Sequence, residues 1–202
     1  MPRLLKFLER AFLIVGVGMI ALASFIHIDA RAHKHIALDE FERIRDQVAT
    51  SEDQTDWSEK RKAEYSESLQ VDAGSTLAVL RIPSRDIEVP VLESTSDLAL
   101  NRGAGHVEGT ALPGTVGNIA VAAHRDGFFR GLKDIQIGDQ IELATLEGQQ
   151  TFVVSQLDIV DPYDVSVLDP TDEPVLTLIT CYPFYFVGSA PERFIVRATL
   201  NK

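Results

Sequence analysis

The sequence predicts a mainly β domain that follows an N-terminal transmembrane helix and a helical stalk. Three features support this: an uncharged apolar run near the N-terminus, a charged segment with helical spacing after it, and many short β-branched runs beyond residue 75. The expected boundaries are 1–28 for the N-terminus and anchor, 29–71 for the stalk and 72–202 for the β domain. Short strands without long alternating helices favour a barrel or sandwich over a parallel α/β sheet.

Residues 11–28 carry no charged side chain. As a helix they would span about 27 Å, close to the thickness of a bilayer core. Three basic residues and one acidic residue precede the run, which favours a cytoplasmic N-terminus and an extracytoplasmic C-terminal domain. A cleaved signal peptide is the alternative, because residues 30–32 resemble a cleavage site. The apolar run is longer than a usual signal core, so we expect an uncleaved, single-pass anchor in the cell membrane.

The stalk has helical periodicity. Apolar residues at helical spacing predict an amphipathic helix around residues 38–48, and a second short helix is expected around residues 57–69. Trp57 and Tyr65 are expected to pack against the domain that follows. The expected role of this segment is that of a spacer between the membrane and the β domain.

The β domain is predicted from seven apolar or β-branched runs of strand length, which Pro-Gly, Gly-Asp and Glu-Gly turn signals help to separate. The runs are residues 76–82, 88–92, 118–124, 140–146, 151–159, 175–181 and 194–200. Two short helical segments are expected at residues 97–101 and 126–132.

Composition excludes several classes of protein. One cysteine closes no intramolecular disulfide and supplies no four-cysteine metal site. A net charge of −11 with a pI near 4.8 argues against binding to a polyanion, so nucleic acid is not an expected partner.

Two residues at predicted strand ends are candidates for nucleophilic chemistry. Cys181 ends an apolar strand run, and a thiol at the rim of a β domain is rigid yet accessible. His124 ends another run, and histidine is the usual partner that makes a thiol a competent thiolate. The alternative role for Cys181 is that of a small hydrophobic core residue. The alternative partner base is His106. Arg193, which opens the last strand run, is a candidate oxyanion donor or a surface cation.

Residues 177–181, Thr-Leu-Ile-Thr-Cys, resemble the Thr-Leu-x-Thr-Cys signature of sortases, the membrane-anchored cysteine transpeptidases. Residues 109–132 around the histidine and 181–198 out to the arginine are similar to the same family, most of all to class D sortases. The three candidates also occur in the family's order. The sequence departs from the family pattern at Ala123, where glycine is expected in many relatives.

The resemblance implies an eight-stranded sortase-type β-barrel. It further implies that Cys181, His124 and Arg193 form the active site, with Cys181 as the nucleophile. Thr177, Thr180 and Tyr182 are expected to contact the substrate.

The partners that the resemblance implies are secreted proteins with a C-terminal sorting signal of the Leu-Pro-x-Thr-Gly type. The acceptor would be an amine from a cell-wall precursor or a protein lysine. No cofactor is expected. Some sortases bind calcium, but the acidic residues here lack the spacing of an EF-hand loop, and a solvated loop is favoured. These acidic residues are Asp158, Asp161, Asp164, Asp169, Asp172 and Glu173.

Two alternatives come from other classes. A peptidoglycan L,D-transpeptidase also uses cysteine and histidine on a β scaffold, but its Ser-x-Gly-Cys-x-Arg pattern is not found around Cys181. The other alternative is a non-catalytic, membrane-tethered peptide-binding module that retains the sortase fold.

Overall fold

The structure, a computed structural model, describes residues 54–55, 57–71, 74–185 and 189–201. Eight strands and two α-helices form the described part. They are α1 (Glu59–Ser68), β1 (Thr76–Ile82), β2 (Ile87–Leu92), α2 (Asp97–Arg102), β3 (Ala104–His106), β4 (Asn118–Ala122), β5 (Gln140–Thr145), β6 (Gly148–Val160), β7 (Val175–Tyr182) and β8 (Glu192–Leu200). Short 3-10 helices lie at Pro83–Arg85, Arg130–Asp134 and Ser166–Leu168.

The strands close into a barrel in the order β1-β2-β3-β4-β7-β8-β6-β5. Most neighbouring pairs are antiparallel, whereas β2–β3 and β4–β7 are parallel. The expected mainly β class and eight-stranded barrel are therefore confirmed. Because β4, β7 and β8 are adjacent, the end of β4 meets the end of β7 and the start of β8 at one rim, although β4 is distant from them in sequence.

Strand alternation fills the barrel interior. In β1, Ala78, Leu80 and Ile82 are fully buried members of the core cluster, as a period of two residues requires. Phe152 of β6 and Phe129, which follows β4, add the largest buried side chains. The barrel thus encloses an apolar core and leaves the rims and outer faces for polar groups.

Two of the three predicted short helices, those at residues 57–69 and 97–101, are present with side-chain caps. Ser58 Oγ accepts a hydrogen bond from the Arg61 amide at 3.2 Å, and Ser96 Oγ accepts one from the Ala99 amide at 3.3 Å. Such caps satisfy backbone donors that have no partner inside the helix. The helix expected at residues 126–132 is instead a turn followed by the 3-10 helix Arg130–Asp134.

One strand was not expected. Residues 104–106 form the short strand β3, which pairs with β2 and β4. His106 therefore lies in the sheet rather than in a loosely held loop, and it is only 5% exposed. Its Nε2 lies 3.0 Å from the Ala111 carbonyl oxygen and 3.1 Å from Thr110 Oγ1.

The expected membrane anchor at residues 11–28 and the helix around residues 38–48 lie outside the described residues and stay predictions. Among the helices of the described ranges, none combines the length and apolar character needed to cross a bilayer.

Candidate active site

The last two strands place Cys181 directly beside Arg193. The two residues are paired in the antiparallel register of β7 and β8, so their side chains leave the same face of the sheet. Cys181 is a free, half-buried thiol. The Arg193 Nη1 atom donates to the carbonyl oxygens of Glu192 at 3.0 Å and Ala190 at 3.4 Å, which orients the guanidinium at the start of β8.

His124 lies two residues beyond the end of β4, the strand that neighbours β7. The parallel ladder between β4 and β7 pairs Ala122 with Ile179, and the Ala123 amide extends it by donating to the Ile179 carbonyl at 3.2 Å. Counting two residues beyond the last pair of this ladder leads to His124 after β4 and to Cys181 near the end of β7. The structure therefore places the three predicted residues at one rim of the barrel.

Hydrogen bonds to Ala123 position the backbone directly before His124. Thr180 Oγ1 donates to the Ala123 carbonyl at 2.7 Å in a buried contact between β7 and the end of β4. Ala123 itself does not have a positive φ angle, and its side chain packs in the core. Alanine in place of the glycine that the family pattern predicts therefore requires no strained backbone.

Thr177 belongs to a buried cluster of hydrogen bonds centred on Asn118. Thr177 Oγ1 donates to Asn118 Oδ1 at 2.7 Å. The Asn118 amide nitrogen donates in turn to the carbonyls of Val167 at 2.9 Å and Asp169 at 3.0 Å. Asn118 thereby fastens the β6–β7 loop to the β4–β7 pair from inside the protein.

The two threonines do not have the exposure that substrate contact requires. Thr177 is 0% exposed and Thr180 is 2% exposed, and both hydroxyls already donate to protein oxygens. This differs from the expectation that they contact substrate. Thr177 instead helps to hold the β6–β7 loop through Asn118, and Thr180 holds the end of β4 through Ala123.

Tyr182 belongs to an aromatic cluster. Its ring is stacked on Phe194 with a centroid distance of 6.2 Å and meets Phe184 edge-on at 6.0 Å. Because neighbouring residues in a strand point to opposite faces, Tyr182 and Cys181 leave β7 in opposite directions. Its half-buried ring packs at the barrel rim, away from the face that carries the thiol, and its contact with substrate stays a prediction.

The surroundings of His124 make its charged form less favourable. Burial lowers the pKa of His124 below its ordinary value of 6.5, and the guanidinium of Arg61 lowers it further. The carboxylates of Asp126, Glu64 and Asp97 raise the pKa but do not cancel the first two effects. The imidazole is therefore mostly neutral at pH 7.

The acidic β6–β7 loop uses two of its carboxylates within its own turns. Asp161 Oδ1 accepts from the Tyr163 amide at 2.8 Å, and Asp164 Oδ1 accepts from the Ser166 amide at 3.0 Å and its hydroxyl at 2.6 Å. Hydrogen bonding to Ser166 lowers the pKa of Asp164. Across the described ranges, no three histidine, cysteine or acidic residues are grouped so as to hold a metal ion.

Three residues at the site were not singled out from the sequence. Asn118 holds the loop, while Arg61 and Asp126 lie around His124. The contacts of Asn118 with Val167 and Thr177, and that of Arg61 with Asp126, join residues that are 49 to 65 positions apart in the chain. No local pattern signals contacts of this kind.

The family model described as Sortase domain matches residues 80–201, which is more than half of the chain. The chain is 35% identical over 136 residues to Sortase D of Bacillus subtilis (strain 168), covering 67% of this chain and 69% of that protein. It is 32% identical over 154 residues to Sortase SrtE1 of Streptomyces coelicolor, covering 67% of this chain and 43% of that protein.

Solved structures show the same architecture. A Clostridium perfringens Sortase D5 transpeptidase aligns with a TM-score of 0.60 and 25% sequence identity, covering 83% of this chain and 99% of that chain. Sortase A of Listeria monocytogenes aligns with a TM-score of 0.58 and 28% identity, covering 65% and 89%, respectively. With the barrel and its rim of cysteine, histidine and arginine, these matches show that the chain belongs to the sortase family of cysteine transpeptidases.

Proposed function

We propose that this sortase cleaves a sorting signal of the Leu-Pro-x-Thr-Gly type in secreted proteins and transfers the acyl part to an amine acceptor. The observation that supports this proposal is the pairing of Cys181 with Arg193 across β7 and β8, next to the end of β4 that leads into His124. The proposed acceptor is an amine of a cell-wall precursor or a protein lysine.

The first half of the proposed reaction forms a thioester. The Cys181 thiolate attacks the carbonyl carbon of the scissile peptide bond, and the carbonyl electron pair moves onto the oxygen. Arg193, which faces Cys181 across the β7–β8 pair, stabilises that oxygen. When the C–N bond breaks, the His124 imidazolium gives its proton to the leaving amine. A thioester and a neutral imidazole remain.

The second half reverses these roles. The nitrogen of the incoming amine attacks the thioester carbonyl, and neutral His124 takes the proton that the nitrogen loses. The C–S bond breaks, and Cys181 leaves as a thiolate. The net reaction exchanges one amine for another, needs no oxidant or reductant, and is proposed to use no cofactor.

The lowered pKa of His124 bears on the speed of this cycle. Acylation requires imidazolium together with thiolate, whereas the lowered pKa leaves imidazolium a minority species at pH 7. Only a small share of the enzyme then carries both charges at once, which suits a slow transpeptidase.

The peptide is proposed to lie along the outer face of β4 and β7 that leads to the thiol. Ala122 and Ile179, paired in the ladder, form a small, apolar floor there. The β6–β7 loop, which Asn118 fastens at Val167 and Asp169, adjoins this face. Its position favours a role in selecting the substrate, together with the described part of the β7–β8 loop.

The proposed activity is tested by incubating the full chain in detergent with a peptide library built on Leu-Pro-x-Thr-x, followed by mass spectrometry. We expect an adduct on Cys181 with the mass of the acyl fragment, together with release of the residues after threonine. Adding an amine such as triglycine should discharge the adduct. A folded enzyme that acquires no adduct from any peptide would contradict the proposal.

We further propose that the protein is anchored in the cell membrane with its catalytic domain outside the cytoplasm. The uncharged run at residues 11–28 and the basic residues before it support this orientation. Protease added to intact cells or spheroplasts is expected to digest the domain after residue 29. Complete protection, with digestion only after lysis, would show the opposite orientation.

A further inference from the structure

Helix α1 lies against the turn that follows His124. Trp57, just before the helix, and Tyr65 within it are each 7% exposed. The Trp57 ring meets the ring of Phe128 edge-on at 4.9 Å, and Tyr65 lies 6.1 Å from the same ring. The expectation that these two aromatics pack against the β domain is confirmed, and their partner lies four residues after His124.

Arg61 adds a polar contact to the same turn. Its Nη2 atom lies 3.2 Å from Asp126 Oδ1, and its Nη1 atom donates to Asn101 Oδ1 of α2 at 2.6 Å. Glu64 forms a further ion pair with Arg61 at 3.0 Å. The Arg61 side chain is only 11% exposed. Its guanidinium is therefore largely shielded from solvent, and its contacts with Asp126, Asn101 and Glu64 fix its orientation.

The turn that α1 contacts is hydrogen-bonded directly to His124. The amides of Gly127 and Phe129 both donate to the His124 carbonyl at 3.2 Å. An ideal Cβ on Gly127 would lie 3.6 Å from Arg61 Cδ and 3.7 Å from His124 Cβ. A side chain at this position would therefore be in van der Waals contact with both the aliphatic part of Arg61 and the base of the histidine side chain.

The other end of α1 is also held. Arg102 of α2 donates to the carbonyl oxygens of Val71 at 3.0 Å and Ser68 at 3.4 Å. The helix is thus attached at its start, middle and end to elements that surround the histidine. A mere spacer would not need contacts with the domain near both ends and in its middle.

We propose that α1 is part of the active site's support, and that Arg61 is a positioning residue that holds the turn after His124 through Asp126. The inference rests on the proposed role of His124 in the transpeptidase reaction. The helix lies within the predicted stalk, so this part of the stalk packs directly on the turn after His124. A fragment that begins at residue 72 would lack this support.

The test measures both activity and the pKa of His124 in the full chain in detergent, using labelled histidine and NMR. The His124 signal is identified by its absence from the spectrum of His124→Asn. For Arg61→Gln we expect kcat to fall about tenfold or more, because the histidine loses its placement. KM for the peptide should change less than about twofold, since α1 adds no residue to the face of β7 and β8.

The pKa separates positioning from a general loss of structure. The charged groups that act on His124 are Arg61 and Glu64 of α1, Asp97 of α2, and Asp126 in its own turn. Removing the positive charge in Arg61→Gln should raise the pKa of His124, whereas Asp126→Asn should lower it further. If the substitutions merely loosened the structure around His124, its pKa would rise towards the ordinary value of 6.5 in both variants.

Lys60→Gln is the matched control. It removes the same charge from the same helix, but Lys60 is 85% exposed on its side chain and pairs only weakly with Glu64 at 3.6 Å. Neither kcat nor the pKa of His124 should change in this variant. Arg61→Lys keeps the positive charge but loses the paired guanidinium nitrogens that contact Asn101 and Asp126. This variant should leave the pKa of His124 near that of the wild type and recover part of kcat. It replaces Arg61→Gln as the test if Arg61→Gln does not fold.

The inference is overturned if Arg61→Gln, or Arg61→Lys in its place, keeps kcat within about twofold of the wild type. It is equally overturned if Asp126→Asn raises the pKa of His124. If the wild-type enzyme transfers no peptide at all, the proposed function fails instead, and the pKa shifts still decide whether Arg61 and Asp126 act on His124.

Discussion

Cys181→Ala is expected to lower acyl transfer by at least about 10⁴-fold, because no other cysteine exists in the chain to form the thioester. The residue is half-buried at the end of β7. Removing its sulfur should therefore cost about 1 kcal/mol or less of the free energy of unfolding. The measurement is the rate of product formation from a sorting-type peptide and an amine.

The control for this variant is its thermal unfolding, which should stay within a few degrees of the wild type. Cys181→Ser adds a second check, because it keeps the shape of the side chain but supplies a hydroxyl that is not ionised near neutral pH. It should be nearly as inactive as the alanine variant. Full activity in a folded Cys181→Ala enzyme would show that the thiol is not the nucleophile.

His124→Ala is expected to lower kcat by about 10²–10⁴-fold, because both halves of the reaction need its proton. His106→Ala is the matched control, since His106 is the other histidine in the barrel. His106 is buried and bonded to the Ala111 carbonyl and Thr110. Its removal should cost about 1–3 kcal/mol of stability through unsatisfied partners, with a mild effect on kcat. The reverse order would identify His106 as the base.

The pH dependence of stability provides an independent check on His124. The pKa of His124 is lower in the folded protein than its ordinary value of 6.5, so the unfolded chain binds the proton more readily. The free energy of unfolding should therefore fall as the pH is lowered through 6.5. That component should be missing from His124→Ala and retained in His106→Ala.

The active-site rim is the part of the structure that the sequence predicted best. Cys181 and Arg193 stand at the end and the start of two strongly apolar runs, and a short connection between such runs favours an antiparallel pair. The register then places the two residues opposite each other. Their roles in catalysis stay predictions, which the variants above test.

The short strand β3 could not be predicted from its residues. Ala104–His106 is too short to show a period of two, and its central glycine is poor in strand propensity. A contact with another part of the chain requires this glycine. A Cβ on Gly105 would lie 2.2 Å from the Ser94 carbonyl oxygen, so the close approach of that backbone excludes any larger residue.

The roles of the two threonines and of Tyr182 also depended on tertiary structure. The signature around Cys181 placed them next to the nucleophile in the chain, which suggested contact with substrate. In the barrel, Thr180 bonds Ala123 and Thr177 bonds Asn118, both across the β4–β7 ladder. Neighbours in sequence alternate between the faces of a strand, so Thr180 and Tyr182 leave β7 on the face opposite Cys181. Thr177 leaves on the same face as Cys181 but is fully buried beside Asn118.

By itself, the sequence determined the class of the protein: a β domain with one thiol, a strand-end histidine and an arginine in the order of a sortase. These properties lie in local periodicity and in short motifs, which a chain displays without folding. Only the tertiary structure decided that α1 is no mere spacer but packs on the turn after His124 through Arg61 and Phe128. Desolvation and charge around a buried imidazole depend on groups that are distant in sequence, and folding alone brings them together.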